Sequence, residues 1–169
     1  LKTAAAYYAQ AARAGDGEAQ RRIAGLYERG MGVAYDLNKA FSWYRRSAGN
    51  NCAQGLVGLG NCYAEGKGTV KDGQLAFDSY KRAADLGDAT AMLNLGCCYH
   101  NGIGVQPDRE EEIAWYSKAV DAGCAAACYN LGYAYEEEGD ASRDLARRAY
   151  EKGARLGDES CKRKLELYQ

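Results

Sequence analysis

Proline, histidine and long apolar runs are scarce in this sequence. The single proline favours helix over strand, and the other two scarcities each exclude a class of protein. Proline and histidine occur once each among the 169 residues. A single histidine, His100, leaves little material for a histidine-ligated zinc protease or a serine–histidine–aspartate relay, so we do not expect an enzyme. The apolar runs are far shorter than the roughly 20 residues that cross a bilayer, so no membrane partner is expected.

Neither sign of charge is in excess. Lysine and arginine number 22 against 23 aspartates and glutamates, a formal net charge of −1, which does not favour a nucleic acid partner. Two acidic triplets, 110–112 and 136–138, are interpreted as solvated helix ends. The 47% hydrophobic content excludes a disordered chain. Alanine and 14 tyrosines supply much of it, and that balance predicts an all-helical fold.

The strongest pattern that is present is a repeat with a period of 36 residues. A Leu-Gly pair recurs at this period, followed by a tyrosine, and spacings of three and four place these positions on one helix face. Glycine inside a helix costs about 1 kcal/mol relative to alanine, so close approach of another helix must offset this cost. The structural repeat positions are Leu59, Gly60, Tyr63, Leu95, Gly96, Tyr99, Leu131, Gly132 and Tyr135.

A glycine-rich loop separates two helical patterns in each repeat. Glycine pairs such as Gly66/Gly68 and Gly102/Gly104 look like phosphate loops, but no strand precedes them, so we interpret them as turns between paired helices. Glycine or Asn51 is expected to end each second helix in the left-handed conformation. The expected helix caps are Asp16, Asp88, Asp108 and Asp158, with Ser142 in the position of Asp108 in the last full repeat.

The repeats divide the chain into helix pairs. Tyr44, Tyr80 and Tyr116 recur in the second helices and are expected in the core. One pair cannot cover its own apolar face, so about three or more must stack. Further repeats are expected before residue 1, because the first half-repeat is apolar around much of its circumference. We predict a single solenoid domain over 1–169, with a half-repeat at 1–14, repeats at 15–50, 51–86, 87–122 and 123–156, and a terminal capping helix at 157–169.

The motif A-x3-L-G-x2-Y-x2-G-x-G-V-x2-D-x3-A-x2-W-Y-x2-A-A-x2-G closely resembles the Sel1-like repeat, a relative of the tetratricopeptide repeat. Residues 91–123 carry nearly all of it. The resemblance implies an all-α, right-handed superhelical solenoid of antiparallel helix pairs, about ten helices in this chain, with the first helices on the concave side. It also implies an adaptor or scaffold that binds a protein or peptide partner.

If the first helices line a groove, residues beside the leucine–glycine–tyrosine stripe point into it. Tyr129 and Tyr133, one turn apart, would anchor an extended or helical peptide. A hydrolase or thiol-dependent enzyme on a repeat scaffold and an RNA-binding helical array are the alternatives. The candidate partner-binding residues are Glu18, Arg21, Glu28, Arg29, Gln54, Asn61, Glu65, Leu93, Cys97, His100, Asn101, Tyr129, Tyr133 and Glu136.

The seven cysteines do not suit disulfides or a metal site. Cys52 and Cys62 are about 15 Å apart along one helix axis, too far for a bridge. Cys97, Cys98 and His100 would scatter around one helix, which disfavours zinc. The resemblance adds that the secreted, cysteine-rich branch of the family forms disulfides between two cysteines at fixed positions of the repeat. In this chain those positions hold mostly other residues. Reduced thiols in a cytoplasm are therefore preferred to a secreted form, and no metal or cofactor is expected.

Overall fold

The computed structural model describes residues 2–168, with side chains from residue 6 onward, and this range holds ten α-helices and no β-strand. A short 3₁₀ helix at Asp140–Ser142 lies before α9. The α-helices are α1 (Lys2–Arg13), α2 (Gly17–Arg29), α3 (Leu37–Gly49), α4 (Ala53–Glu65), α5 (Gly73–Asp85), α6 (Ala89–Asn101), α7 (Arg109–Asp121), α8 (Ala125–Glu137), α9 (Arg143–Arg155) and α10 (Glu159–Glu166).

The chain forms two compact units. The first unit comprises the residues up to Asp88 together with Ile103–Val105, and it contains α1 to α5. The second unit comprises Ala89–Gly102 and the residues from Gln106 onward, and it contains α6 to α10. Within each unit every first helix packs most closely on the second helix of its own repeat: α2 on α3 and α4 on α5, then α6 on α7 and α8 on α9. The helix-pair architecture predicted from the repeat is confirmed.

The helix ends are fixed by the residues that the repeat places there. The side chain of Asp16 accepts a hydrogen bond from the backbone N–H of Ala19 at 2.6 Å, and that of Asp158 accepts one from Cys161 at 2.8 Å. Asp36, Asp72 and Asp108 cap α3, α5 and α7 in the same way. The predicted left-handed helix ends are confirmed by positive φ angles at Gly15, Asn51, Gly87, Gly123 and Gly157.

Tyrosine rings from the second helices occupy the space beside the mid-helix glycines. A Cβ added at the glycine would lie 2.4–2.5 Å from the nearest ring atom, a separation that real side chains do not tolerate. The glycines therefore allow the close helix approach that offsets their poor helix propensity. The pairs are Gly60 with Tyr80, Gly96 with Tyr116, and Gly132 with Tyr150.

Two of the repeat tyrosines lie at the edge of the core. Leu95 is fully buried, whereas Tyr63 and Tyr99 are only half-buried. They lie near the ends of α4 and α6, and their backbone carbonyls accept hydrogen bonds from the N–H groups of Asp72 and Asp108 at 2.9 and 3.2 Å. The backbone at these two positions therefore holds the loop that returns the chain to the second helix.

Two sequence interpretations are wrong. Ser142 does not cap α9, because the 3₁₀ helix replaces the extended loop that precedes other second helices; its hydroxyl donates to the carboxylate of Glu138 at 2.8 Å. Glu112, interpreted as part of a solvated helix end, is 3% exposed. It occupies the repeat position of Ala40 and Ala76, which is the buried face of the second helix.

Candidate functional site

Interior tyrosines extend their hydroxyls to first-helix residues that the sequence proposes for partner binding. Burial raises the pKa of Tyr44 and of Tyr116 above its ordinary value, so both hydroxyls remain donors at neutral pH. The candidate residues that accept these bonds are thus tied to the fold as well as being available at its surface. The bonds run from Tyr44 to Glu28 at 2.8 Å, from Tyr80 to Asn61 at 2.7 Å, and from Tyr116 to the sulfur of Cys97 at 3.4 Å.

In the first unit, the candidate residues Glu28 and Glu65 are joined through a loop lysine. The Nζ atom of Lys67 lies 3.3 Å from Glu28 and 2.9 Å from Glu65. These hydrogen bonds outweigh desolvation and raise the pKa of Lys67 above its ordinary value. Both carboxylates are therefore engaged by a cation of the same chain.

The other candidates of the first unit lie on the surfaces of α2 and α4. Glu18 and Arg21 form an ion pair of 2.7 Å within α2, and the hydrogen bond from Arg21 lowers the pKa of Glu18. Arg29 and Gln54 are exposed side chains on α2 and α4. These four residues present a polar surface.

The second unit contains a cleft of about 380 Å³, here named the α6–α8 cleft. Five of the candidate residues, all from the first helices α6 and α8, come together in its lining. Three further lining residues complete it from α7 and α8. The lining residues are Cys97, His100, Asn101, Glu112, Tyr116, Tyr129, Asn130 and Tyr133.

A chain of polar contacts crosses the three helices around this cleft. The Nδ1 atom of His100 lies 3.0 Å from one oxygen of Glu112, and the guanidinium of Arg109 lies 3.0 Å from the other. Arg109 also forms an ion pair with Glu137 of α8. Two carboxylates therefore share one guanidinium at the end of the cleft where α7 begins and α8 ends.

These contacts set the charges of the two carboxylates differently. Burial raises the pKa of Glu112, and the charge of Arg109 and the hydrogen bond with His100 reverse this only in part. The hydrogen bond from Arg109 holds the pKa of Glu137 below its ordinary value, so this carboxylate is ionised at neutral pH. Glu137 is the more exposed of the two and lies next to Tyr133.

The thiol of Cys97 forms part of the floor of the cleft. Its sulfur accepts the hydroxyl of Tyr116 at 3.4 Å and lies 3.8 Å from the side-chain nitrogen of Asn130. Burial raises the pKa of Cys97 above its ordinary value. A half-buried thiol held protonated at neutral pH is a weak nucleophile.

The remaining candidates, Leu93 and Glu136, lie outside this cleft. Leu93 packs against the core of the second unit. Glu136 accepts the hydroxyl of Tyr168 at 2.7 Å and pairs with Lys164 at 2.7 Å. It lines a separate pocket of about 310 Å³ beside the 3₁₀ helix, together with Arg143. Glu136 thus connects α8 to the last helix of the chain.

Sequence reasoning missed Glu112, Tyr116 and Asn130 as lining residues and Tyr168 as a partner of Glu136. The signal for Glu112 was its repeat position, since the equivalent Ala40 and Ala76 are small residues of the buried face. A carboxylate at such a position requires partners from neighbouring helices. Nothing in the repeat distinguishes Asn130 from other first-helix polar residues.

The side-chain arrangements of the described residues bear on metal binding, disulfide formation and membrane spanning. No group of three or more histidine, cysteine, aspartate or glutamate side chains there is arranged to hold a metal ion. All seven cysteines are free thiols. In the same part of the chain, no helix has both the length and the apolar character needed to span a bilayer.

Repeated helix pairs joined by glycine loops define the class of all-α helical repeat solenoids. The Sel1 repeat matches this chain five times, at residues 1–16, 17–52, 53–88, 89–124 and 125–158. The chain belongs to the Sel1 repeat family, which confirms the resemblance seen in the motif. Scaffolds built from Sel1 repeats generally mediate protein–protein interaction and are typically non-catalytic.

Solved structures share this fold. A Sel1 repeat protein from Oxalobacter formigenes is 30% identical, with a TM-score of 0.82, covering 88% of this chain and 61% of that one. The protein c5321, a protective antigen present in uropathogenic Escherichia coli strains, is 31% identical with a TM-score of 0.86, covering 95% of this chain and 35% of its own. Helicobacter pylori cysteine rich protein B is 26% identical with a TM-score of 0.60, covering 76% and 92% of the two chains.

This chain therefore spans less than two thirds of the length of the first two of these proteins. Among curated proteins, none matches this chain.

Proposed function

We propose that this chain is an adaptor or scaffold module that binds a segment of a partner protein or peptide in the α6–α8 cleft. The observation that carries the proposal is the convergence of five candidate partner-binding residues on one cleft. Its volume of about 380 Å³ lies in the range of about 300–1,000 Å³ usual for binding pockets.

The two tyrosines of α8 supply the anchoring surface. Tyr133 is 43% exposed, and Tyr129 is half-buried with its ring 5.9 Å from that of Tyr150. Tyrosine offers a large, stiff contact area with few rotatable bonds, which is why it is enriched among residues that dominate interface energies. The contact with Tyr150 fixes Tyr129, so little conformational entropy is lost when a partner binds there.

Polar groups around the tyrosines would orient the bound segment. Asn101 donates to the backbone carbonyl of Cys97 at 2.9 Å, which holds its side chain at the cleft wall. The amide oxygens of Asn101 and Asn130 and the Nε2 atom of His100 have no hydrogen-bond partner among the described residues. Amide and imidazole groups can pair with the backbone of an extended peptide.

The two alternatives have less support. A thiol-dependent enzyme needs an accessible thiolate, whereas burial raises the pKa of Cys97 and His100 is bonded to Glu112 instead. An RNA-binding array needs a basic groove, whereas the polar contacts of this cleft centre on two carboxylates and one guanidinium.

Affinity capture with matched variants tests the proposal. The wild-type chain, the Tyr129→Ala/Tyr133→Ala double variant and a Tyr7→Ala/Tyr35→Ala control would each serve as bait, and quantitative mass spectrometry would measure the retained proteins. Tyr7 and Tyr35 are 71% and 64% exposed in the first unit, so the control removes the same chemistry elsewhere.

We expect specific partners to be lost by the first double variant and kept by the control. Circular dichroism would verify that both variants keep the wild-type helicity. If partners are retained equally by all three baits, the α6–α8 cleft is not the binding site.

A further inference from the structure

We propose that the α6–α8 cleft recognises a basic side chain, so that the bound partner segment carries a lysine or an arginine. This inference rests on the proposed function and specifies the chemistry of the partner. It follows from three properties of the second unit: the charge of residues 89–140, the ion pairs at the end of the cleft, and the exposed ring of Tyr133.

The region that builds the cleft is strongly acidic. Residues 89–140, which span α6 to α8, contain nine aspartates and glutamates against two lysines and arginines, a formal net charge of −7. The whole chain has a net charge of only −1. The negative charge is therefore concentrated on the part of the molecule that holds the cleft, where it attracts cations at long range.

Glu112 is the one carboxylate among the lining residues given for the cleft, and further carboxylates lie beside it on α7 and α8. The guanidinium of Arg109 is held between Glu112 and Glu137 and cannot neutralise both. Glu110 and Glu111, in the first turn of α7, form no ion pair with any described residue, and Glu138 at the end of α8 accepts only the hydroxyl of Ser142. An incoming anion would meet net repulsion here, whereas an incoming cation would gain a carboxylate partner.

The aromatic rings of the cleft offer a second contact to a cation. Cations of this chain lie over several aromatic rings elsewhere: Lys118 is 4.0 Å from the ring centre of Trp115, and Arg46 is 4.7 Å from that of Trp43. Among the described residues no lysine or arginine lies over Tyr133, whereas Arg163 and Lys164 line a smaller pocket beside Tyr129, so Tyr133 is the ring that a further cation can reach. A lysine or arginine of the partner could stack there while its charge faces Glu137, and a desolvated cation–π contact adds about 2 kcal/mol in favourable cases.

A displayed library of short random peptides tests this inference, whatever the identity of the natural partner. Selection would use the wild-type chain as bait, with removal of peptides that also bind the Tyr133→Ala variant, a change at an exposed side chain that spares the core. Enriched peptides would be synthesised and their affinities measured by fluorescence anisotropy. We expect lysine or arginine to be enriched at one position of the selected peptides.

Neutral replacement then measures the contribution of the charge. Changing that residue to norleucine or citrulline should weaken binding by roughly tenfold or more, and binding of the parent peptide should weaken as salt increases. Glu137→Gln should weaken binding several-fold, whereas Glu159→Gln should not. Glu159 is a matched control because it is also an exposed glutamate in an ion pair, with Lys162 at 2.7 Å, but on α10.

The outcomes separate the two proposals. Peptides that require Tyr133 but tolerate both neutral replacement and Glu137→Gln would overturn the basic-residue inference and leave the cleft as a binding site. Enrichment of acidic peptides would overturn the inference in the same way. If no enriched peptide depends on Tyr133, both the inference and the proposed function are overturned.

Discussion

The hydroxyl of Tyr116 on α7 points at the sulfur of Cys97 on α6, 3.4 Å away. In the first helix pair, the equivalent Tyr44 on α3 donates instead to the carboxylate of Glu28, at 2.8 Å. The hydroxyls of these two equivalent tyrosines therefore donate to acceptors of different strength, because a thiol sulfur is a weak hydrogen-bond acceptor and a carboxylate is a strong one.

Removal of these hydroxyls should have unequal effects on stability. Tyr44→Phe is expected to lower the free energy of unfolding by about 1.5–3 kcal/mol, whereas Tyr116→Phe should lower it by less than about 1 kcal/mol. Urea unfolding followed by circular dichroism would measure both. Tyr35→Phe is the control, since Tyr35 is 64% exposed. Equal losses at the two buried sites would contradict the ranking of acceptors.

Filling the space beside Tyr116 should destabilise the fold. An added Cβ at Gly96 would lie 2.4 Å from the ring, so Gly96→Ala should lower the free energy of unfolding by about 1–3 kcal/mol in spite of alanine's better helix propensity. Gly96→Leu should lower the melting temperature further. In contrast, Gly49 has no atom within 4 Å of an added Cβ, and Gly49→Ala should leave the melting temperature unchanged or slightly raised. Similar melting curves for both alanine variants would contradict this packing.

The seven thiols should fall into two classes of reactivity. Cys62, Cys98, Cys128 and Cys161 are buried, and burial raises the pKa of each. Only the half-buried Cys52, Cys97 and Cys124 should react with a maleimide reagent in the native protein, and Cys97 should react slowly because burial raises its pKa. All seven should react in denaturant. Mass spectrometry of peptide digests would identify the labelled sites. Native labelling of Cys98 at the rate of Cys52 would show that α6 does not pack as described.

Two glutamates should respond oppositely to acid. Burial raises the pKa of Glu136, but hydrogen bonds from Lys164 and Tyr168 outweigh it, and the pKa lies below its ordinary value. Its stabilising contribution is therefore present above about pH 4.5 and is lost as the pH falls through the folded-state pKa. Glu112 has a raised pKa, chiefly through burial. Its contribution is present below about pH 4.5 and is lost as the pH rises through the folded-state pKa.

Urea unfolding of wild type, Glu136→Gln and Glu112→Gln between about pH 7 and about pH 4 would test these signs. The stability advantage of wild type over Glu136→Gln should shrink on acidification, and its advantage over Glu112→Gln should grow. Parallel changes for the two variants would refute the opposite pKa shifts.

Much of the fold could be predicted from the sequence because its signals are local. The spacing of Leu95, Gly96 and Tyr99 defines a helix face, and Asn51 or a glycine specifies a helix end, without reference to any distant residue. The family followed from the same motif. The last full repeat is two residues shorter, and there the local pattern fails. Ser142 still precedes α9, but it lies in a 3₁₀ helix and its side chain makes no capping hydrogen bond.

The lining of the α6–α8 cleft was less predictable because it depends on contacts between helices. His100 and Cys97 could be placed on the exposed side of α6 from the stripe beside them. The burial of Glu112 depends on His100 of α6 as well as on Arg109, which lies one turn before Glu112 on α7. The small residues at the equivalent repeat positions give no sign of the contact with His100. The partner-binding role of the candidate residues stays a prediction.

The hydrogen bonds from the interior tyrosines limit which surface residues can be mutated to change the binding specificity of this scaffold. Glu28, Asn61 and Cys97 are each partly exposed and each accept a hydrogen bond from an interior tyrosine. Randomising them would change binding but would also lower the stability of the fold. Diversity would be introduced more safely at Asn101, Asn130 and Tyr133, whose side chains support no interior hydroxyl. The repeat thus contains positions where substitution leaves the interior hydrogen bonds intact and positions where substitution lowers the free energy of unfolding.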